Sequence, residues 1–505
     1  MHNGAPMLVM SSRRRWFVTI GVMTGMLLAA LEATVVGTAM PTIVAALGGL
    51  GHYSWVFSAY LLTSTVTVPV WGKLSDLFGR RRLFQIGVAV FLVGSAACGF
   101  AQSMTQLIGA RALQGLGAGA LVPLAMTIVG DIFTLEERAK MQGLFSGVWG
   151  ISSIFGPLAG GFITDQLSWR WVFLINLPVG VAAAIIIGVA LKEPPRHEKP
   201  SIDYLGAIVL TGACTLLLLV LGDTRSPLTI ALVGLVVALL FWFVRIEQRA
   251  KDPIVPLALF RNRMVAVAVV VGFLAGIAMF AAITFVPLLA QGVLGATATE
   301  AGSFLTPLML SWVLVSIVGG RLLIRFGTRL LVIIGLVLML IGFSALATFT
   351  HDTPRAVMIV ELILIGSGLG LTMLSLLIAS QHSVQREQLG ITTSLNQFSR
   401  SIGGALGVAI LGAMLASGLA QYSQDPNALV NPEARSHIAP ADLAQLQGAL
   451  EGTLRNIFAA SATVVALALI TSFALPGGKL ASQTHSERMV MAEMTTIDPE
   501  NEPEG

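Results

Sequence analysis

Charge is the first thing this chain is short of. Of its 505 residues only 11% are Asp, Glu, Lys or Arg, while 55% are hydrophobic. That balance excludes an ordinary soluble domain. Cysteine is scarcer still: Cys98 and Cys214 are the two present, and both lie inside apolar runs. Neither a disulfide framework nor a zinc site is expected from them. No G-x-x-x-x-G-K-[ST] phosphate loop occurs, which excludes ordinary ATP-driven transport. The longest segment outside the apolar runs is about 33 residues, 421–453, too short for a separate enzymatic or sensor domain. No cofactor, metal or nucleic-acid partner is expected.

What is present is apolar length. Runs of about 20 residues, enough to cross a hydrocarbon core of roughly 30 Å, recur from end to end. Fourteen are expected, near 16–40, 53–72, 83–101, 105–130, 140–163, 170–191, 204–222, 227–245, 264–290, 300–320, 330–349, 354–380, 391–420 and 454–475. Arg13–Arg15 lead into the first, which is too long for a cleavable signal core and reads as a spanning helix. With the N-terminus inside, 23 of the 30 Lys and Arg fall in cytoplasmic segments, five outside and two within spans. The bias predicts both termini in the cytoplasm and an even number of spans. The polar tail after Pro476 reads as disordered. In the outer segment 421–453, Leu443, Leu446, Leu450, Leu454 and Ile457 recur at helical spacing. They predict a surface helix running into the last span, with a docking site for an outer protein partner as the alternative.

One stretch appears twice. Gly72, Leu74, Phe78, Gly79 and Arg81 match Gly320, Leu322, Phe326, Gly327 and Arg329, all 248 residues on. The echo predicts a chain built twice: spans one to six in 1–191, an inserted pair with its linkers in 192–263, and a second six in 264–475, before the tail 476–505. Asp76 is an acid among four bases in this charged link, and its counterpart is Ile324. It is placed to cap the positive end of a helix of the other half. Arg80 to Arg82 are placed to pair with Asp131. Either contact would latch the cytoplasmic side, the alternative being a solvated loop.

Ionisable residues within spans are costly and usually functional. Glu32, Arg111, Glu361 and Arg400 are such residues. Counted at 1.5 Å per residue, the first three lie roughly 10 Å below the outer surface, and Arg400 nearer the midplane. Glu361 lies in the span equivalent to that of Arg111. A cluster is expected around a central cavity, with Glu32 and Arg111 on one wall and Glu361 on the other. Burial opposes a charged carboxylate and the arginine supports it, a competition that lets proton occupancy follow conformation. A static buried ion pair is the alternative. Gln114 lies one turn from Arg111, and with Asn396, Arg400 and both glutamates it completes the expected substrate cavity. Trp149, Met126, Met279 and Phe398 are candidates for a tolerant apolar lining. Gly147, Gly150, Gly156, Pro157, Gly160 and Gly161 give span five a flat face and a bend.

These stretches resemble the signatures of the major facilitator superfamily and, within it, of the fourteen-span drug:proton antiporters. Gly72 to Arg81 is similar to G-x-L-x-D-x-x-G-R-R between spans two and three, and Arg111 to Gly119 resembles the R-x-x-Q-G-x-G signature of span four, associated with proton coupling. Gly147 to Gly161 resembles the span-five motif associated with antiport. Leu31 to Pro41 and Trp169 to Pro178 resemble the fourteen-span group's span-one and span-six signatures, with Glu32 where aspartate is common. The resemblance implies an all-α polytopic protein of the bacterial inner membrane, with two six-helix bundles rocking about a central cavity. It implies export of amphipathic, often cationic compounds in exchange for protons, coupled through Glu32, Arg111 and Glu361. A specific exporter of a lipid, siderophore or other metabolite is the alternative on the same fold.

Overall fold

The structure, a computed structural model, describes residues 10–133, 135–191, 204–222, 229–250, 253, 257–385, 388–420, 426–430 and 439–477. Among these, every regular element is helical. A backbone in lipid has to satisfy its own hydrogen bonds, and a helix does so within one segment. The first half contains α1 (Ser12–Leu47), α2 (Tyr53–Phe78), α3 (Arg80–Gly99), α4 (Met104–Ile132), α5 (Leu135–Gln166), the single turn α6 (Trp171–Leu174) and α7 (Asn176–Ala190). Two helices follow, α8 (Tyr204–Gly222) and α9 (Thr229–Glu247). The second half contains α10 (Arg263–Leu288), α11 (Ala298–Phe326), α12 (Thr328–Leu346), α13 (Arg355–His382), α14 (Leu389–Leu419) and α15 (Pro440–Ser472).

Eleven stretches among the described residues are long and apolar enough to cross a membrane. The other three expected places, α2, α8 and α9, are helices of 26, 19 and 19 residues. Polar residues mark the helix starts. Ser103 accepts from the Gln106 N–H before α4, Asn262 accepts at α10, and Thr297 with Glu300 forms a reciprocal capping box at α11, each satisfying donors that the first turn leaves open.

The helices outrun the apolar runs, and the charged link is where this matters. The sequence suggests a loop across Gly72–Arg82, yet α2 continues to Phe78 and α3 starts at Arg80. One residue, Gly79, makes the turn at φ 92°, and Gly327 makes the equivalent turn between α11 and α12 at φ 80°. Side chains other than glycine rarely adopt this region. Helical hydrogen bonding needs no apolar side chains, so the charged turns simply extend the helices. The Asp76 and Ile324 side chains lie outside the described residues, as do 192–203, 223–228, 421–425, 431–438 and the tail from 478.

The duplication is visible in helix contacts. A Cβ at Gly115 on α4 would lie 2.6 Å from the Tyr60 carbonyl oxygen of α2, and one at Gly366 on α13 would lie 2.0 Å from that of Leu308 on α11. Gly119 meets the Ser64 carbonyl at 2.5 Å, and Gly370 meets that of Trp312 at 2.7 Å. Gly87 and Gly94 let α3 close onto α4, as Gly335 and Gly342 let α12 close onto α13. Tyr60 and Leu308, Ser64 and Trp312, Gly87 and Gly335, and Gly94 and Gly342 are each 248 residues apart, the offset of the echoed turn. Small residues at these crossings allow the backbones to touch, which is how helices associate where lipid removes the hydrophobic drive.

The halves meet chiefly along α1 with α10 and α11, α5 with α11, and α2 with α14. Among the described residues, their hydrogen bonds lie toward the end remote from the start of α1. Gln291 donates to the Thr38 carbonyl at 2.9 Å, the Tyr53 hydroxyl to the Thr284 carbonyl at 2.8 Å, and the Leu50 N–H to Asn427 at 3.0 Å. Asp165, ending α5, accepts the Ala298 and Thr299 N–H groups at 3.2 and 2.8 Å and so caps α11. α8 lies over the α2–α14 seam, where Leu62, Val66, Leu210, Phe243 and Phe398 form their own cluster. Leu446, Leu450, Leu454 and Ile457 are fully buried, where α15 packs on α10 and α12. The apolar row in 421–453 thus belongs to the chain's own core, and none of its fully buried members is available to an outer partner.

Since the two glycine crossings are equivalent, Gly115→Val and Gly366→Val should destabilise to a similar degree, by about 1–3 kcal/mol each from overpacking. Melting temperatures of the purified variants test this. A large loss at one site with none at the other would contradict the equivalence.

Candidate functional site

The polar centre of the first half is assembled by five helices. α1 brings Glu32, α4 brings Arg111 and Gln114, α3 brings Ser95 and Cys98, α2 brings Tyr60 and the Val56 carbonyl, and α7 brings Asn176. Glu32 and Arg111 are each only 2% exposed. Arg111 pairs with Glu32 through Nη1, which also donates to Gln114 Oε1 at 2.7 Å. Its Nε donates to the Val56 carbonyl at 3.2 Å, and its guanidinium carbon sits 4.1 Å from the Tyr60 ring centroid. The second glutamate oxygen accepts from Asn176 at 2.8 Å. Asn176 also donates to Ser95 Oγ at 2.9 Å, Gln114 Nε2 donates to the same oxygen at 3.0 Å, and Ser95 donates to the Phe173 carbonyl at 2.9 Å.

Burying two charges costs several kcal/mol per ion unless the remaining donors and acceptors are met. Here Nε and Nη1 of Arg111 and both oxygens of Glu32 are met. The sequence pointed to Glu32, Arg111 and Gln114 and missed Asn176 and Ser95. The signal for Asn176 was available, since it is an amide within an apolar span, as Gln114 is. The residues before it hold it in place. Arg170 donates to the Ala101 carbonyl at 3.1 Å and lies over Trp169, whose ring meets Phe173 edge-on at 6.4 Å. These contacts fasten the start of α6 to the end of α3 and so set where α7 begins.

Glu361 stands apart. It is 5% exposed, and among the described residues one of its oxygens has no hydrogen-bond partner and no hydrogen bond joins it to the Glu32–Arg111 pair. The glycine alignment explains the offset. Gly115, Gly117 and Gly119 correspond to Gly366, Gly368 and Gly370 at 251 residues, which sets Glu361 opposite Ala110, one residue and about 100° of helix from the place of Arg111. Arg400 hydrogen-bonds Gln397 on its own helix and approaches Met373 Sδ on α13 at 3.9 Å. Asn396, one turn earlier, donates to the Thr392 carbonyl at 2.9 Å. Met279 is buried core and Phe398 packs against the α2 and α8 cluster, while Met126 and Trp149 are over one-third exposed.

At the other end, Arg80 Nε lies 2.7 Å from Asp131, both nearly buried, whereas Arg81 and Arg82 are exposed. The pair forms as expected, but it joins α3 to α4 within one half, so this contact does not itself bridge the halves. The span-five motif divides between neighbours. Gly156 and Gly160 meet Thr34, Val35 and Thr38 of α1; Gly161 meets Ala298 of α11, whose Gly302 meets the Pro157 carbonyl; Gly147 faces open space.

An all-helical fold with eleven membrane-length apolar stretches among its described residues, doubled in its packing and enclosing a buried ion pair, is that of a polytopic membrane protein. The chain matches the Major Facilitator Superfamily over residues 22–408 and belongs to that family. It is 36% identical to multidrug resistance protein 3 of Bacillus subtilis (strain 168) over 93% of this chain and 96% of that one. It is 43% identical to the multidrug transporter protein MdtP of the same organism, over 80% and 76%. In fold it resembles a bacterial homolog to the human lysosomal transporter Spinster in an inward-facing, unoccupied conformation, with a TM-score of 0.66 and 16% identity over 92% of this chain and 98% of that one.

Arg111→Gln should destabilise more than Glu32→Gln. The first leaves a buried carboxylate without its counter-charge, costing about 3–5 kcal/mol, while the second leaves Arg111 its bonds to Gln114 and the Val56 carbonyl. The double variant should recover part of the loss, with a coupling of about 1–3 kcal/mol. Strictly additive losses in melting experiments would show that the pair does not interact.

Proposed function

We propose that this protein is a fourteen-span proton-coupled antiporter that exports amphipathic, often cationic compounds from the cytoplasm by alternating access. The observation that carries the reading is the buried Glu32–Arg111 pair, set in a molecule whose halves are hydrogen-bonded toward one end. Such a carboxylate can exchange a proton only when the packing around it changes, so proton exchange and movement of the halves are linked. Residues 1–191 and 264–475 act as the two moving bundles, and 192–263 holds the inserted pair.

The names of the relatives support multidrug export. The placement of 23 of 30 basic residues supports cytoplasmic termini in the inner membrane. In that orientation the hydrogen-bonded end is the outer one, which supports a form closed to the outside. Glu32 binds the proton, Arg111 sets how readily it is held, and Glu361 supplies the second acid. A cationic compound favours ionised Glu32 and Glu361, and protons entering from outside displace it. Gln114, Asn396 and Arg400 line the path of the cargo. The turn from Gly72 to Arg81, with Asp76, gates the inner side, steadied by Arg80 and Asp131. Glycines 147–161 with Pro157 form the antiport seam.

Dye transport in inverted vesicles under an imposed pH gradient tests this reading. Wild type should show gradient-driven uptake. Glu32→Gln should lose it by roughly tenfold or more, equivalent to about 1.4 kcal/mol, and Glu361→Gln should lose transport of cationic dyes more than of neutral ones. Full gradient-driven uptake in the Glu32 variant would remove that residue from the mechanism. Rejection of every dye in a broad panel by wild type would point instead to a dedicated metabolite exporter.

A further inference from the structure

The hydrogen bonds around Glu32 run in one direction. Ser95 spends its only hydrogen on the Phe173 carbonyl, so toward Gln114 and Asn176 its oxygen acts as an acceptor. That fixes the Gln114 amide, with Nε2 on Ser95 and Oε1 on Arg111. It also fixes the Asn176 amide: Nδ2 lies within hydrogen-bond distance of both Ser95 Oγ and Glu32 Oε2, and its two hydrogens are used there. Glu32 therefore receives a donor on each oxygen, Arg111 on one and Asn176 on the other. A proton placed on Oε2 would meet an N–H and find no acceptor. Accepting it requires the amide to turn over. Its oxygen would then face the Ser95 oxygen, whose hydrogen is held by the Phe173 carbonyl.

We propose that Asn176 is a positioning residue that ties proton binding at Glu32 to the seating of α7, through a hydrogen-bond chain that closes only around the carboxylate. The proposal rests on the reading of Glu32 as the proton-binding acid and adds the element that senses it. Asn176 opens α7, directly after the turn that Trp169 and Arg170 fasten to α3. A reversal of its amide is thus felt by α7, α3 and α4 together, through Ser95 and Gln114. The titratable groups facing this cluster are Arg111 from α4, Tyr60 from α2 and Cys98 from α3. α5, α10 and α11 also pack on α1 but carry ionisable residues only within six positions of an end, and α7 carries none. Arg111 is therefore the one fixed charge close to Glu32 among the described residues, and Asn176 is the uncharged side chain that donates to its second oxygen.

The test uses the full chain in proteoliposomes, with ethidium as the probe and an imposed pH gradient, and reads transport rate against pH. Asn176→Ala removes the donor. Asn176→Asp keeps the shape and presents acceptors instead. Both should move the midpoint of the pH profile upward by about one unit, the size of one hydrogen bond to a charged group. Where a variant no longer transports, ethidium-induced proton release by the purified protein gives the same midpoint. Ser95→Ala, which frees the amide to turn, should shift it in the same direction and decides the matter if neither Asn176 variant folds. A midpoint that stays put or falls overturns the proposal, as does a uniform loss of rate at every pH, which a purely structural role predicts. Glu32→Gln separates the two levels. If it keeps the wild-type profile, the proton-site reading itself fails. If it abolishes the titration while the Asn176 and Ser95 variants leave the midpoint unmoved, only the role given to Asn176 fails.

Discussion

The constraint on which the first half depends is the cost of holding Glu32 and Arg111 away from water. An isolated charge at this depth costs several kcal/mol, and mutual attraction repays it only when the remaining hydrogen-bonding capacity is met. The surrounding helices are arranged to meet it. α2 lends a backbone carbonyl and an aromatic face to Arg111, α3 lends a hydroxyl, and α7 lends an amide to Glu32. Each contact also fixes the rotation of its helix about its own axis. The ion pair therefore acts less as glue than as a registry mark from which five helices take their orientation.

Close approach makes that registry possible. Arg111 and Gln114 can reach α2 and α3 because Gly115, Gly117 and Gly119 bring those backbones into contact, with Gly87 and Gly94 doing the same from the facing side. The second half keeps this scaffold in detail, through Gly366, Gly368 and Gly370 against Gly335 and Gly342, while discarding its polar contents. Ile365 stands where Gln114 does and Leu362 where Arg111 does. Glu361 is left with an unpartnered oxygen in its own surroundings. The two halves thus share a mechanical frame and differ in the side chains it holds.

Much of this was legible in the residues. Apolar run length located the helices to within a few positions at most ends, because lipid leaves the backbone no other solution. The last helix is the main exception: α15 begins at Pro440, since its polar first turns continue a helix that hydropathy alone cannot see. The echoed turn gave the offset that the packing repeats. Glu32, Arg111 and Gln114 stood out as charged or amide side chains in apolar surroundings. Ser95 did not, since a lone serine in a membrane helix usually bonds its own backbone, and only the three-dimensional meeting of α3, α4 and α7 gives it another use. The depth count placed Glu361 level with Arg111 but could not see the one-residue rotation that turns it to a different neighbourhood. The Arg80–Asp131 pair was foreseen as a contact, though not its confinement to one half.

The turns at Gly79 and Gly327 carry one more implication. Each joins two long helices through a single residue, so consecutive Cα atoms, about 3.8 Å apart, leave no slack to absorb relative sliding. A push on the end of α2 reaches α3 undamped, and α11 drives α12 in the same way. Mechanically these are elbows of fixed length, able to change angle but not to lengthen. A displacement begun at either arm is converted into rotation of the pair, which makes each elbow a lever whose short arm is one glycine.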